Sequence, residues 1–371
     1  LKYLILTNMY PKEDSLYRNA FIHRRVLEYI KSKLEVVVFV LDNNLDEINE
    51  YTFEGVKVIE GNNESFIHFV KNEKPYKILV HFINRHMIKA LNSIDSQIPI
   101  IVWIHLMEAI AWYRRLFNFT EHNFLKYILQ NTRQLFNLRK FIKESEERDI
   151  KFIFVSNWIK SIMEKDTLSK VNKYHIIHNV VDTDLFKFEE KDTSQRKKIL
   201  LIRPFESRKY ANDVAVEAIL KLKNKEFFND LEFNIYGSGK LFDKTLKPLR
   251  ELPNVNIKNK YLKHKEIKQE HLKNGIFLCP TRQDSQGVSM CEAMSSGLVT
   301  ITTDNSAIPE FVEHKKTGLL TKSPAEVAES IEYLYYNPSV FNYISKEGSG
   351  SIFDKCRPDK VIKQELEVIL N

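Results

Sequence analysis

The chain has 371 residues, a formal net charge of +7, 43% hydrophobic and 28% charged residues, and three cysteines. That length exceeds one average domain, and the composition is that of a globular protein, not a disordered or fibrous one. No apolar run approaches the roughly 18–20 residues that span a bilayer, and no signal-peptide pattern is visible. Cys279, Cys291 and Cys356 lack metal-ligand spacing and form an odd set, so packing roles in a reduced, cytoplasmic setting are expected. In chain order, residues 2–7 predict a first strand, 20–30 a helix, and 34–41 a second strand. Residues 77–83, 98–105, 151–156 and 174–178 predict further strands with helical segments between them. Residues 187–198 are charged and almost without apolar side chains, which places a domain boundary at 190/191. The second half restarts with strands at 199–203, 231–236, 255–257, 275–280 and 298–302, and residues 358–370 predict a closing helix. Alternating strands and helices imply α/β architecture, two Rossmann-like halves each with a parallel sheet covered on both faces.

One stretch is strongly basic. Between residues 114 and 143 lie Arg114, Arg115, Lys126, Arg133, Arg139, Lys140 and Lys143 against Glu121, interleaved with Phe117, Phe119, Phe124, Leu125, Leu129 and Phe136. A basic amphipathic helix of this kind suits peripheral contact with anionic lipid, or with a phosphorylated acceptor. A helix packing its apolar side on the domain core gives the same pattern. Nothing in the sequence resembles a nucleic-acid-binding motif, so no nucleic-acid partner is expected.

Residues 280–310 read PTRQDSQGVSMCEAMSSGLVTITTDNSAIPE. An apolar strand, a loop holding Gly287, and a helix from about residue 290 direct free backbone N–H groups and a positive helix end at one point, where an anion binds well. Asp284 and Glu292, with seven residues between them, would repel a bare phosphate. Carboxylates do accept hydrogen bonds from the hydroxyls of a diol. A ligand with both an anionic and a polyhydroxyl part is a nucleotide sugar.

This segment resembles the carboxyl-terminal signature of the family 4 (group 1) retaining glycosyltransferases, which have two glutamates separated by seven residues and then a turn ending in proline-glutamate. Asp284 stands at the first glutamate, Glu292 at the second, and residues 305–310 at the turn that ends in Glu310. The resemblance implies the GT-B fold, two Rossmann-like domains with parallel sheets facing a central cleft. It implies an acceptor-side domain over 1–190, a nucleotide-sugar domain over 191–357, and a helix over 358–371 that crosses back. It implies that Asp284 faces the donor-sugar hydroxyls and Glu292 the ribose diol, while Gly287, Val288 and Ser289 face the diphosphate. Arg203 and Lys209 would stabilise the leaving diphosphate, although the family's usual spacing is one shorter, so Arg208 is the alternative to Lys209. Gly237 and Gly239 match a glycine turn near the nucleotide, and Tyr261 lies where the base approaches. In the first half, His105 resembles the position over the donor sugar, with a structural histidine as the alternative. Glu108 and Arg115 are candidates for acceptor contact. The family's glycine-rich loop after the first strand is absent: residues 9–18 stand there instead. Donor choice is expected to depend on the pocket around Arg282 and Gln286.

The activity these expectations imply is retaining transfer from a nucleotide-diphosphate sugar, UDP-sugar favoured, to a glycan or lipid-linked acceptor. It would use no cofactor and no metal, since cations and a helix end do a metal's electrostatic work. Bacterial surface-polysaccharide biosynthesis on the cytoplasmic membrane face is the expected setting. The alternative is a catalytically silent nucleotide-binding subunit, because aspartate at 284 is one methylene shorter than glutamate.

Overall fold

The computed structural model describes residues 2–13, 15, 18–120 and 123–371. They form two compact units: Leu1–Leu116, Glu121–Ile177 and Ile362–Asn371 in the first, Phe117–Thr120 and His178–Val361 in the second.

The first unit is built on β1 (Lys2–Thr7), β2 (Glu35–Leu41), β3 (Asn49–Phe53), β4 (Val56–Gly61), β5 (Lys77–His81), β6 (Ile100–Ile104), β7 (Ile150–Phe154) and β8 (Tyr174–Ile176). Their order is β3-β4-β2-β1-β5-β6-β7-β8, parallel throughout except for the β3–β4 hairpin. Every residue of β5 and β6 is buried, as continuous apolar runs in a sheet covered on both faces must be. The hairpin was not anticipated. Its two-residue turn, Glu54-Gly55, has positive φ at both positions (44° and 82°), the backbone that a tight hairpin needs and glycine adopts freely. Only Phe53 of β3 is buried, so an alternating apolar signal was lacking.

The second unit is built on β9 (Lys198–Ile202), β10 (Glu232–Gly237), β11 (Val255–Asn259), β12 (Ile276–Leu278), β13 (Val299–Thr303) and β14 (Leu319–Thr321). The order is β11-β10-β9-β12-β13-β14, all parallel. Chain direction across the sheet therefore reverses between β9 and β12. The crevice at the carboxyl ends of two such strands is where open α/β sheets bind ligands. In the first unit the same reversal lies between β1 and β5.

Two expectations meet a different arrangement. The units divide at Ile177/His178, not at 190/191. The charged segment 187–198 is not a free linker: Lys191 Nζ donates to the His271 carbonyl at 2.7 Å, and Asp192 caps a short turn over Thr193–Lys197. The basic stretch 114–143 is likewise not one helix. Trp112–Asn118 is a tight 3-10 segment bent at Arg115, and the long helix is Phe124–Glu144; Glu121 lies outside the described residues. Within the basic stretch, Arg114 is paired with Asp166, whose side chain is buried, at 2.7 Å. The last helix, Pro358–Leu370, carries Glu365 into the first unit. There it accepts from Arg25 Nε (2.8 Å), Tyr29 OH (2.7 Å) and Trp103 Nε1 (3.2 Å).

Candidate active site

In the second unit the site grows from the β9/β12 crevice. Arg203 follows β9 directly and is 4% exposed. Its two terminal nitrogens donate to the Pro280 carbonyl (3.2 Å) and the Ser289 hydroxyl (3.4 Å). The guanidinium thus links the end of β12 to the first turn of the helix Val288–Ser295. Its Nε is buried and has no hydrogen-bond partner among the described residues. Six residues on, Lys209 lies in a one-turn 3-10 segment, Arg208–Tyr210, capped by Ser207 Oγ, which accepts from the Lys209 N–H at 3.2 Å. The Lys209 carbonyl accepts from the Arg282 N–H (2.8 Å) and the Thr281 hydroxyl (3.2 Å). Both cations lie over Tyr210: its ring centroid is 5.1 Å from Arg203 Cζ and 5.1 Å from Lys209 Nζ. Arg208 is exposed.

Asp284 is half-buried and closes the loop before the helix. Its Oδ1 accepts from the N–H groups of Gly287 (2.9 Å) and Gln286 (3.3 Å). Gly287 has φ +77°, and a Cβ there would also press on Ile308 at 3.3 Å, so glycine is required on two counts. Glu292 is 9% exposed, on the helix this loop starts. Glu310 is half-buried after the strained turn at Ser306 (φ 54°), and its carbonyl accepts from Lys355 Nζ at 2.8 Å.

The Gly237-Ser-Gly239 turn is packed against the segment that carries Arg203. A Cβ on Gly237 would lie 2.0 Å from the Arg203 carbonyl oxygen, and one on Gly239 2.5 Å from the Phe205 carbonyl carbon. Phe205 N–H donates to the Ser238 carbonyl at 2.8 Å, and Tyr261, 54% exposed, donates its hydroxyl to that same carbonyl at 2.9 Å. Arg282 and Gln286 are both committed to scaffold. Arg282 forms a two-pronged pair with Asp213 (2.8 and 2.6 Å). Gln286 exchanges hydrogen bonds with the Asn179 backbone (2.6 and 3.0 Å).

The first unit holds its own cluster at the carboxyl ends of β5 and β6. His105 Nε2 lies 3.2 Å from His81 Nδ1, so one of the two nitrogens carries the shared proton. His81 stacks on Trp103, and Phe82 packs on the His105 ring. Burial, reinforced by Arg25, holds the His105 imidazole well below its usual range, so it is neutral at physiological pH. Glu108 accepts from the N–H groups of His105 (2.6 Å) and Leu106 (3.1 Å) and so shapes the loop that carries His105. Burial raises its carboxyl, against those backbone bonds. Arg115 lies over the Tyr127 ring at 4.9 Å. His81, Tyr210 and the Arg282–Asp213 pair were not foreseen. Tyr210 had a signal, since it follows Lys209 directly.

Residues 196–337 match the family described as Glycosyl transferases group 1. The matched residues all lie in the second unit and make up less than half of the chain. The match includes all the candidate residues from Arg203 to Glu310. A curated relative, N-acetyl-alpha-D-glucosaminyl L-malate synthase of Bacillus anthracis, is 25% identical over 217 residues, 55% of this chain and 55% of the relative. The chain thus spans about half the length of the curated relative it matches. Among solved structures, sucrose-phosphate synthase from Thermosynechococcus elongatus superposes with a TM-score of 0.77 at 12% identity, covering 100% of this chain and 98% of that one. Anabaena HepE in complex with UDP and glucose gives a TM-score of 0.71 at 12% identity, covering 99% of each chain. These likenesses are of fold: the two units are Rossmann-like domains of the GT-B fold.

Proposed function

We propose that this chain transfers a sugar from a nucleotide-diphosphate sugar, a UDP-sugar foremost, with retention at the anomeric carbon. The acceptor is a glycan or lipid-linked glycan of bacterial surface-polysaccharide assembly. One observation carries the reading: a buried arginine at the β9/β12 switch point reaches the first turn of the glycine-started helix, with a second cation, Lys209, over the same tyrosine ring. That is an anion site, and Asp284 and Glu292 beside it supply acceptors for hydroxyl groups.

In this reading Arg203, Lys209 and the amides of Gly287, Val288 and Ser289 stabilise the diphosphate as charge develops on it. Glu292 holds the ribose diol, Asp284 the donor-sugar hydroxyls, and Tyr261 lies under the base beside Gly237 and Gly239. Glu310 borders the sugar. The acceptor hydroxyl attacks from the face the diphosphate leaves and gives its proton to the departing phosphate oxygen, so no enzyme nucleophile and no metal are required. On the first unit, neutral His105 is the proposed contributor to transfer, with Glu108 fixing its loop and Arg115 as an acceptor-side cation.

A screen of nucleotide sugars by thermal shift and nucleoside-diphosphate release, with and without chelator, tests this. Stabilisation by one donor with chelator-insensitive release is expected. Binding without turnover in the presence of candidate acceptors would favour a silent subunit, and no binding would end both readings. Peripheral membrane contact is favoured by the outer side of Phe124–Glu144. Leu125 (75%), Leu129 (63%) and Phe136 (57%) are exposed there among Lys126, Arg133, Lys140 and Lys143. Flotation with anionic vesicles should weaken when Arg133, Arg139 and Lys140 are neutralised; unchanged flotation would remove the idea.

A further inference from the structure

Like charges in one crevice repel each other, so how two cations sit there depends on the groups they share. Arg203 is anchored by Pro280 and Ser289, yet its Nε has no hydrogen-bond partner among the described residues. What the two cations share is the Tyr210 ring, with each cationic centre 5.1 Å from its centroid. The negative face of an aromatic ring attracts a cation at that range, more strongly where water is excluded.

We propose that Tyr210 is a positioning residue whose ring holds Arg203 and Lys209 in the arrangement that receives the diphosphate. The inference rests on the donor-site reading above and assigns a residue that reading does not need. Tyr210 acts through the cations and not on the reacting atoms. The negative face of its ring attracts both cations and offsets part of their mutual repulsion. The cations then need little rearrangement when charge builds on the leaving group, which is the condition for effective electrostatic stabilisation. The backbone at this point is secured without the ring. Ser207 caps the turn, and Arg282 ties it down twice, by its N–H to the Lys209 carbonyl and by its guanidinium to the Arg208 carbonyl (2.7 Å). Truncating the ring therefore leaves the turn in place.

The test uses the full chain with UDP, GDP and ADP and their glucose conjugates, measuring nucleoside-diphosphate affinity by calorimetry and sugar release as kcat and KM. Tyr210→Leu should lose about ten- to thirtyfold in kcat, the size of a partly desolvated cation–π contact, while Tyr210→Phe should stay within about twofold of wild type. Phenylalanines with increasing ring fluorination, introduced at position 210, keep the shape but drain the ring face, and kcat should fall stepwise with fluorine count. A merely structural ring would give a flat series. A flat series, or Tyr210→Leu turning over like wild type, overturns the Tyr210 role alone, because wild type in that experiment still binds and releases. Wild type that binds none of the nucleotides overturns the donor-site reading and this inference with it.

Discussion

Asp284 has two roles in the proposed site, and two substitutions separate them. As a structural group its Oδ1 accepts two backbone N–H bonds, from Gly287 at 2.9 Å and Gln286 at 3.3 Å, in the manner of a helix cap. Loss of such a cap costs about 0.5–2 kcal/mol, and in a domain of about 150–250 residues each kcal/mol moves Tm by about 2–4 °C. Asp284→Ala should therefore melt about 1–8 °C lower. Asp284→Asn keeps an oxygen for both N–H groups and should melt close to wild type. As a catalytic group Asp284 offers a charged acceptor to the sugar, and loss of one preorganised electrostatic contact costs about 10²–10³ in kcat. Both variants should lose that much in transfer while nucleoside-diphosphate affinity holds. Glu292→Gln provides the contrast: losing the charge in a hydrogen bond to the ribose should weaken nucleotide binding about 10–100-fold. Scanning fluorimetry, calorimetry and nucleoside-diphosphate release read the three quantities. Transfer at wild-type rate by Asp284→Asn would refute the catalytic half and leave Asp284 a cap. Equal loss of affinity and rate in Asp284→Ala would mean its contact lies on the nucleotide, and unchanged affinity in Glu292→Gln would remove the ribose role.

Glu365, fully buried against Arg25, Tyr29 and Trp103, should be costly to remove. Glu365→Leu leaves Arg25 buried without its carboxylate, and equilibrium denaturation should show a loss of about 3–5 kcal/mol. Wild-type stability in that variant would show that Arg25 finds another partner. His271, 1% exposed, is held down to about 3 by burial and, secondarily, by Lys191. An unfolded imidazole titrates near pH 6.5. Between 6.5 and about 3 the unfolded chain binds a proton that the folded chain does not, so this contribution is fully present above pH 6.5 and falls as pH drops through that window. His271→Gln should flatten the acid side of the stability–pH curve, and an unchanged slope would contradict the assignment.

What was legible in the sequence was local. Most parallel strands announced themselves as apolar runs, β4 and β14 excepted, and the Asp284–Gly287–Glu292 spacing lies on one loop and one helix. The hairpin β3–β4 escaped because β3 buries a single residue. The segment 187–198 looked like a linker because composition records that Lys191 is charged, not that its ammonium reaches the His271 carbonyl while its stem is buried. Arg282 and Gln286 looked like specificity residues because their side chains leave the signature loop. Their partners, Asp213 and Asn179, lie 69 and 107 positions away, a separation at which no spacing rule operates.

The glycine turn shows how a motif can carry an incomplete reason. Gly237 and Gly239 matched a turn expected to approach the nucleotide, yet the atoms that a Cβ would meet belong to Arg203 and Phe205. The turn has to be glycine because the loop after β9 is bonded directly onto it, by Arg203 N–H to the Tyr236 carbonyl (3.1 Å) and Phe205 N–H to the Ser238 carbonyl (2.8 Å). That approach fixes the backbone from which the Arg203 side chain reaches Pro280 and Ser289. An alanine at 237 would have to push the Arg203 carbonyl away, since 2.0 Å is far inside any carbon–oxygen contact. The glycine then governs the proposed anion site through the arginine's backbone, whether or not it touches a phosphate itself.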